Sequence, residues 1–149
     1  MSTAYRFRLA AVLRLRRAEY DVAELALARA NRRLRELIVL RNAEANRGAE
    51  LGAASGTQTT TEFLAQRTSS SLAASHLLQI DAQVNVAAAE AALARLSWSG
   101  AHQRVSALER LETRRRAEWR TEQNRLETNE LDELATAAFV RELQAGSVG

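Results

Sequence analysis

Residues 77–108 read LLQIDAQVNVAAAEAALARLSWSGAHQRVSAL, and the spacing of their apolar positions decides the fold. Leu77, Val84, Ala91, Trp98 and Val105 recur every seven residues, while Ile80, Ala87, Ala94, Ala101 and Leu108 form a second row three residues later. Rows offset by three and four lie along one face of an α-helix and make the seam of a coiled coil. Toward the N-terminus the pattern returns. Leu13, Tyr20, Leu27 and Leu34 repeat every seven residues, with Ala23, Ala30 and Leu37 in the alternating steps. Arg16 is the one large exception in that seam, and its long stem can reach solvent or a partner.

Between the two seams, periodicity stops at Gly48. The stretch Leu51 to Thr61 carries Gly52, Ser55, Gly56, Thr57, Thr59, Thr60 and Thr61, residues that favour turns and compete with helix through local hydrogen bonds. Thr61 and Glu62 before Phe63 and Leu64 read as a second helix start, with a threonine available as the N-cap. The sequence therefore predicts one all-α domain, a long antiparallel two-helix coiled-coil hairpin. Its helix 1 runs over about 4–50, its loop over about 51–61 and its helix 2 over about 62–143.

Folding about residue 56 sets the N-terminus opposite about residue 107. After Leu108 the second row turns polar, at Arg115, Glu122 and Asn129, as expected where helix 1 runs out. About 35 residues of the longer, C-terminal helix then overhang. A break at Ser99 and Gly100, giving a three-helix bundle, is the competing arrangement, but Trp98 and Val105 keep phase across the glycine.

Composition supports helix and excludes much chemistry. The 149 residues contain no proline, and many of the apolar positions are alanine, which suits a thin seam better than a thick core. All 21 basic residues are arginine. Without lysine there is no Walker A loop, Schiff-base lysine or pyridoxal phosphate anchor. Without cysteine there is no disulfide, thiolate nucleophile or cysteine-ligated metal. The longest apolar run, Leu9 to Leu13, is too short for a secretory signal or a spanning helix, so the chain reads as a mature, soluble protein.

The two histidines, His76 and His102, lie on different sides of helix 2 and cannot share a metal within it. Glu112 with Glu118, or Glu127 with Glu130, has no apolar pocket to raise a carboxyl pKa; a solvated charged face is the better reading. Charges from Glu109 to Glu133 alternate in sign, and Glu112 precedes Arg116 by four, which supports an exposed helix. By contrast, Arg6, Arg8, Arg14, Arg16 and Arg17 all precede the first acidic residue and make a basic tip suited to an acidic partner. Net charge is only +3, and the Arg114–Arg116 run is flanked by glutamates with no aromatic stacking platform, which argues against nucleic acid.

Three short motifs, in order, give the chain a family resemblance. Phe7-Arg8-Leu9-Ala10-Ala11-Val12-Leu13-Arg14-Leu15-Arg16 resembles the F-x-L-x-x-V-L-x-x-R opening of the flagellar FliJ family. Trp98, Arg104, Val105, Ala107, Leu111 and Arg114 are similar to its tryptophan and Arg-rich stretch, and Leu131-Asp132-Glu133-Leu134-Ala135 to its C-terminal signature.

The resemblance implies a non-catalytic stalk without cofactor or metal, at the cytoplasmic face of the bacterial inner membrane but not inserted in it. Its termini would enter the hexameric flagellar export ATPase, promote assembly and ATP hydrolysis, and link the ring to the export gate protein FlhA and to export chaperones. Candidate ATPase contacts are Phe7, Leu9, Val12, Leu13, Arg14, Arg16, Trp119, Leu126, Leu131, Asp132, Glu133 and Leu134; Phe63, Leu72 and His76 are candidate gate contacts, though their spacing departs from the family. Injectisome stalk proteins fit the same physics. A small secreted hairpin of the WxG type is suggested by Trp98-Ser99-Gly100, but that family carries a tyrosine-based signal after its second helix, and the only tyrosines here are Tyr5 and Tyr20.

Overall fold

A computed structural model describes residues 4–53, 56 and 58–147. It contains two helices, α1 (Ala10–Ala53) and α2 (Thr60–Ser147), arranged as an all-α hairpin. Alpha2 runs unbroken through Ser99 and Gly100, so the three-helix alternative is excluded. Packing groups the chain into two compact units, Arg17–Gln103 and Met1–Arg16 with Arg104–Gly149.

Within Arg17–Gln103 the helices are antiparallel. Tyr20 packs on Trp98, with ring centroids 6.1 Å apart, Arg41 pairs with Asp81 at 2.5 Å, and Glu44 meets His76 Nδ1 at 3.3 Å. The seam is as the heptads require. Ile80, Ala87, Ala91 and Ala101 are buried, and Tyr20, Ala23, Leu27, Ala30, Leu34 and Leu37 are half-buried beside them. His102 closes the row by lying on Trp98, ring centroids 5.6 Å apart and interplanar angle 12°. No buried side-chain polar atom among the described residues lacks a hydrogen bond, so the seam carries no desolvation penalty of the kind an orphaned group would impose.

The register differs from a fold centred on residue 56. Glu44 meets His76, whereas that fold sets it opposite about residue 68. The cause lies at the turn. Alpha1 continues through Gly48, Leu51 and Gly52 to Ala53, past the expected stop. Thr59 is the threonine that caps α2: its Oγ1 accepts from the Glu62 N–H at 3.2 Å, and its own N–H donates to Glu62 Oε2 at 3.2 Å. That reciprocal pair is a capping box. The first turn of α2 thus projects beyond α1 and leaves Phe63 and Leu64 exposed. Gln66 Nε2 donates to the Leu51 carbonyl at 2.8 Å, satisfying an acceptor in the last turn of α1. Gly56 takes φ 156°, a conformation that L side chains rarely adopt. Ser55 and Thr57 lie outside the described residues. Replacing the cap, Thr59→Ala, is expected to cost about 1 kcal/mol, read as a lower urea midpoint at unchanged slope.

The second unit corrects the start of helix 1. Residues 4–9 are not helical; a turn brings the Ala10 N–H to the Phe7 carbonyl at 3.1 Å, and the first α-helical bond is Leu13 N–H to Leu9 O, 2.9 Å. Burying Phe7 anchors this segment against α2. From it Tyr5 reaches Glu112 and Trp119 of α2. Phe7, Leu13 and Val105 are buried here, and Leu108, Leu111 and Glu112 are half-buried.

Candidate functional site

Two features of the unit formed by residues 4–16 and 104–147 offer themselves to a partner. The first is a groove of about 780 Å³ bordered by Tyr5, Phe7, Leu9, Leu111, Arg115 and Trp119. Tyr5 tilts against Trp119 with centroids 5.9 Å apart, donates its hydroxyl to the Glu112 carbonyl at 3.4 Å, and lies under the Arg116 guanidinium, 5.2 Å from the ring centroid. Arg116 also pairs with Glu112 at 3.3 Å, the expected four-residue pair. Trp119 is consequently half-buried against Tyr5, not bare, and the part of α2 without an intramolecular neighbour is shorter than about 35 residues.

The second feature is that remainder. From Asn124 to Ser147 every residue is exposed, with Leu131 66% and Phe139 61% accessible. At about 100° of turn per residue, Leu131, Leu134, Phe139, Val140 and Leu143 point to all sides of the helix. Local bonds hold the backbone. Arg125 donates to both Glu122 oxygens, at 3.1 and 2.6 Å. That hydrogen bonding holds the Glu122 carboxyl below its ordinary value and raises Arg125. Its small support is present above the unfolded carboxyl value and is lost as pH falls through the folded one. Thr113, Thr121, Thr128 and Thr136 each donate a hydroxyl to the carbonyl four residues back, at 2.8 to 3.0 Å.

The basic tip is placed against local preference. Alpha1 has no acidic residue in its first turn, and Arg6, Arg8 and Arg14 have no acidic partner among the described residues. Positive charge near a helix N-terminus is disfavoured by the macrodipole, by about 0.3 to 1 kcal/mol per group at low salt.

A scan against protein families matches residues 5–144 to the family described as Flagellar FliJ protein. The chain belongs to the flagellar FliJ family. Comparison with curated proteins and with solved structures gave no match. FliJ proteins are components of the flagellar export apparatus, so this chain is one too. No helix among the described residues is long and apolar enough to cross a membrane.

Of the residues singled out from the FliJ motifs, Phe7, Leu9 and Trp119 border the same groove, and Leu13 is buried beside it. Arg16 is half-buried; Val12 and Arg14 are exposed. Leu126, Leu131, Asp132, Glu133 and Leu134 all lie on the exposed remainder of α2. In the other unit Phe63 and Leu72 are exposed, and His76 is bound to Glu44. Sequence reasoning missed Tyr5, Arg115 and Glu118 as neighbours of this groove, because a helical start at about residue 4 would have turned Tyr5 elsewhere. The one available signal was an aromatic residue two positions before Phe7.

Proposed function

We propose that the chain is the non-catalytic stalk of the flagellar export ATPase: its C-terminal helix and basic N-terminal tip enter the centre of the ATPase hexamer, favour ring assembly and speed ATP hydrolysis. One observation carries this reading. Large exposed apolar side chains mark a surface that a partner covers, and the charged segment after Asn124 carries Leu131, Leu134, Phe139, Val140 and Leu143 at well-separated angles around the helix. A flat surface would cover one face of it. An axial bore would cover all of them.

The same reading assigns the remaining partners that FliJ membership suggests. The stretch that holds Phe63, Leu72 and His76 contacts the export gate protein FlhA, and export chaperones are handled on the exposed helix surface. Placement is cytoplasmic and peripheral to the inner membrane. Co-purification with the organism's flagellar ATPase, followed by hydrolysis measured with and without this chain, tests the proposal. Failure to bind, or unchanged hydrolysis by the mixture, rejects it.

The arginines supply long-range attraction. With Arg8→Gln and Arg14→Gln combined, binding to the ATPase is expected to fall several-fold at low salt and hardly at all near 1 M, where charges are screened beyond about 3 Å. Titrating the complex at both ionic strengths checks this; an equal loss at both would remove the electrostatic part.

A further inference from the structure

Alpha2 carries a second apolar row that the hairpin does not use. Leu78, Ala82, Val86, Ala89, Leu93 and Leu96 follow spacings of four, four, three, four and three, and all six are exposed. Leu78 and Leu96 are each 70% accessible and Leu93 65%, while Ile80 and Ala87 of the seam are 2%. At about 100° per residue this row lies almost opposite the one buried against α1. It is not a solvated face. Over residues 78–96 the only ionised side chains are Asp81, Glu90 and Arg95, and Asp81 is taken by Arg41. A helix with seams on two opposite sides can hold a neighbour on each.

We propose that this row is the contact through which two copies of the chain associate, α2 against α2 and antiparallel about a two-fold axis between Val86 and Ala89. The pattern is self-complementary in that direction. Leu78 meets the partner's Leu96, Ala82 the partner's Leu93, and Val86 the partner's Ala89, so large side chains fall opposite small ones in two of the three layers. A parallel pair would stack leucine on leucine and leave alanine facing alanine. Glu90 comes opposite the partner's Asn85, so no like charges meet at the edge. The two alanines let the backbones approach closely. A contact along this row from two copies lies at the small end of the interfaces that hold specific complexes, about 1,000 Å². Area alone does not set affinity, so what is expected is association that reverses on dilution through the micromolar range.

Sedimentation of the full chain from about 1 to about 200 μM is expected to show monomer passing to dimer. Leu93→Glu, which keeps a good helix former at an exposed site, should weaken the dimer at least about tenfold without loss of circular dichroism. Because the chain has no cysteine, Val86→Cys and Ala89→Cys variants can be mixed and oxidised. Their mixed disulfide should form about ten times faster than that of Val86→Cys with Val22→Cys, since bridging needs Cα atoms within about 7 Å. A monomer throughout the range overturns the proposal, including one that takes up a foreign amphipathic helix on this row. Dimers unaffected by Leu93→Glu overturn it as well, placing self-association on the apolar end of α2. Equal disulfide rates would do the same for the antiparallel register.

Discussion

A chain ending at Gln123 is expected to leave the export ATPase at its basal rate while remaining a folded hairpin. The removed segment makes no contact that the rest of the molecule needs: every residue from Asn124 to Ser147 is exposed, and the Tyr5–Trp119 pair stays behind. Its contribution to a complex should be large. Burying a leucine or phenylalanine side chain fully yields about 1.5 to 3 kcal/mol, and the segment offers several. Even after the cost of association is subtracted, losing it should weaken binding by more than about a thousandfold, because each 1.4 kcal/mol is a factor of ten. Circular dichroism should fall only by the share of helix deleted, and the urea midpoint of the remainder should not move. Full stimulation by the shortened chain would reject the stalk assignment. A shortened chain that neither folds nor stimulates would show that the end of α2 supports the hairpin itself.

The second large effect is expected in the seam. Ile80→Ala should destabilise the hairpin by about 2 to 4 kcal/mol, whereas Val22→Ala should change stability by less than about 0.5 kcal/mol. Ile80 is 2% accessible and Val22 70%. The contrast is sharp because the seam is one side chain deep. A cavity at Ile80 has no second layer to collapse into it, and alanine neighbours such as Ala87 cannot reach across. Paired denaturation curves at about 1 μM, the dilute end of the range set for the sedimentation test, would measure both. Comparable losses for the two variants would mean that the heptad rows do not form the core.

Most of the fold was legible because coiled-coil seams announce themselves by spacing. Leu13, Tyr20, Leu27, Ile80, Ala87 and Ala101 all turned inward as their seven-residue rows required. What spacing does not encode is the offset between two rows. That depended on which of the threonines takes the cap, here Thr59, and on α1 continuing through two glycines, each a choice worth about 1 kcal/mol. The start of α1 was misread for a related reason. Phe7 and Leu9 fit a helical pattern, yet burial of Phe7 ahead of a turn won over helix propensity. The second row on α2 escaped notice because alanine fits a packed or a solvated position equally well, and only exposure separates Ala82 and Ala89 from Ala87 and Ala91.

The threonine row has a mechanical meaning. Thr113, Thr121, Thr128 and Thr136 each share the carbonyl of the preceding turn with the backbone ladder, and such sharing loosens and curves a helix toward one side. Spaced by seven or eight residues, they drift by about 140° around the helix from the first to the last. The end of α2 is therefore softened at four points rather than at one hinge, so that any bending it undergoes is spread along the helix.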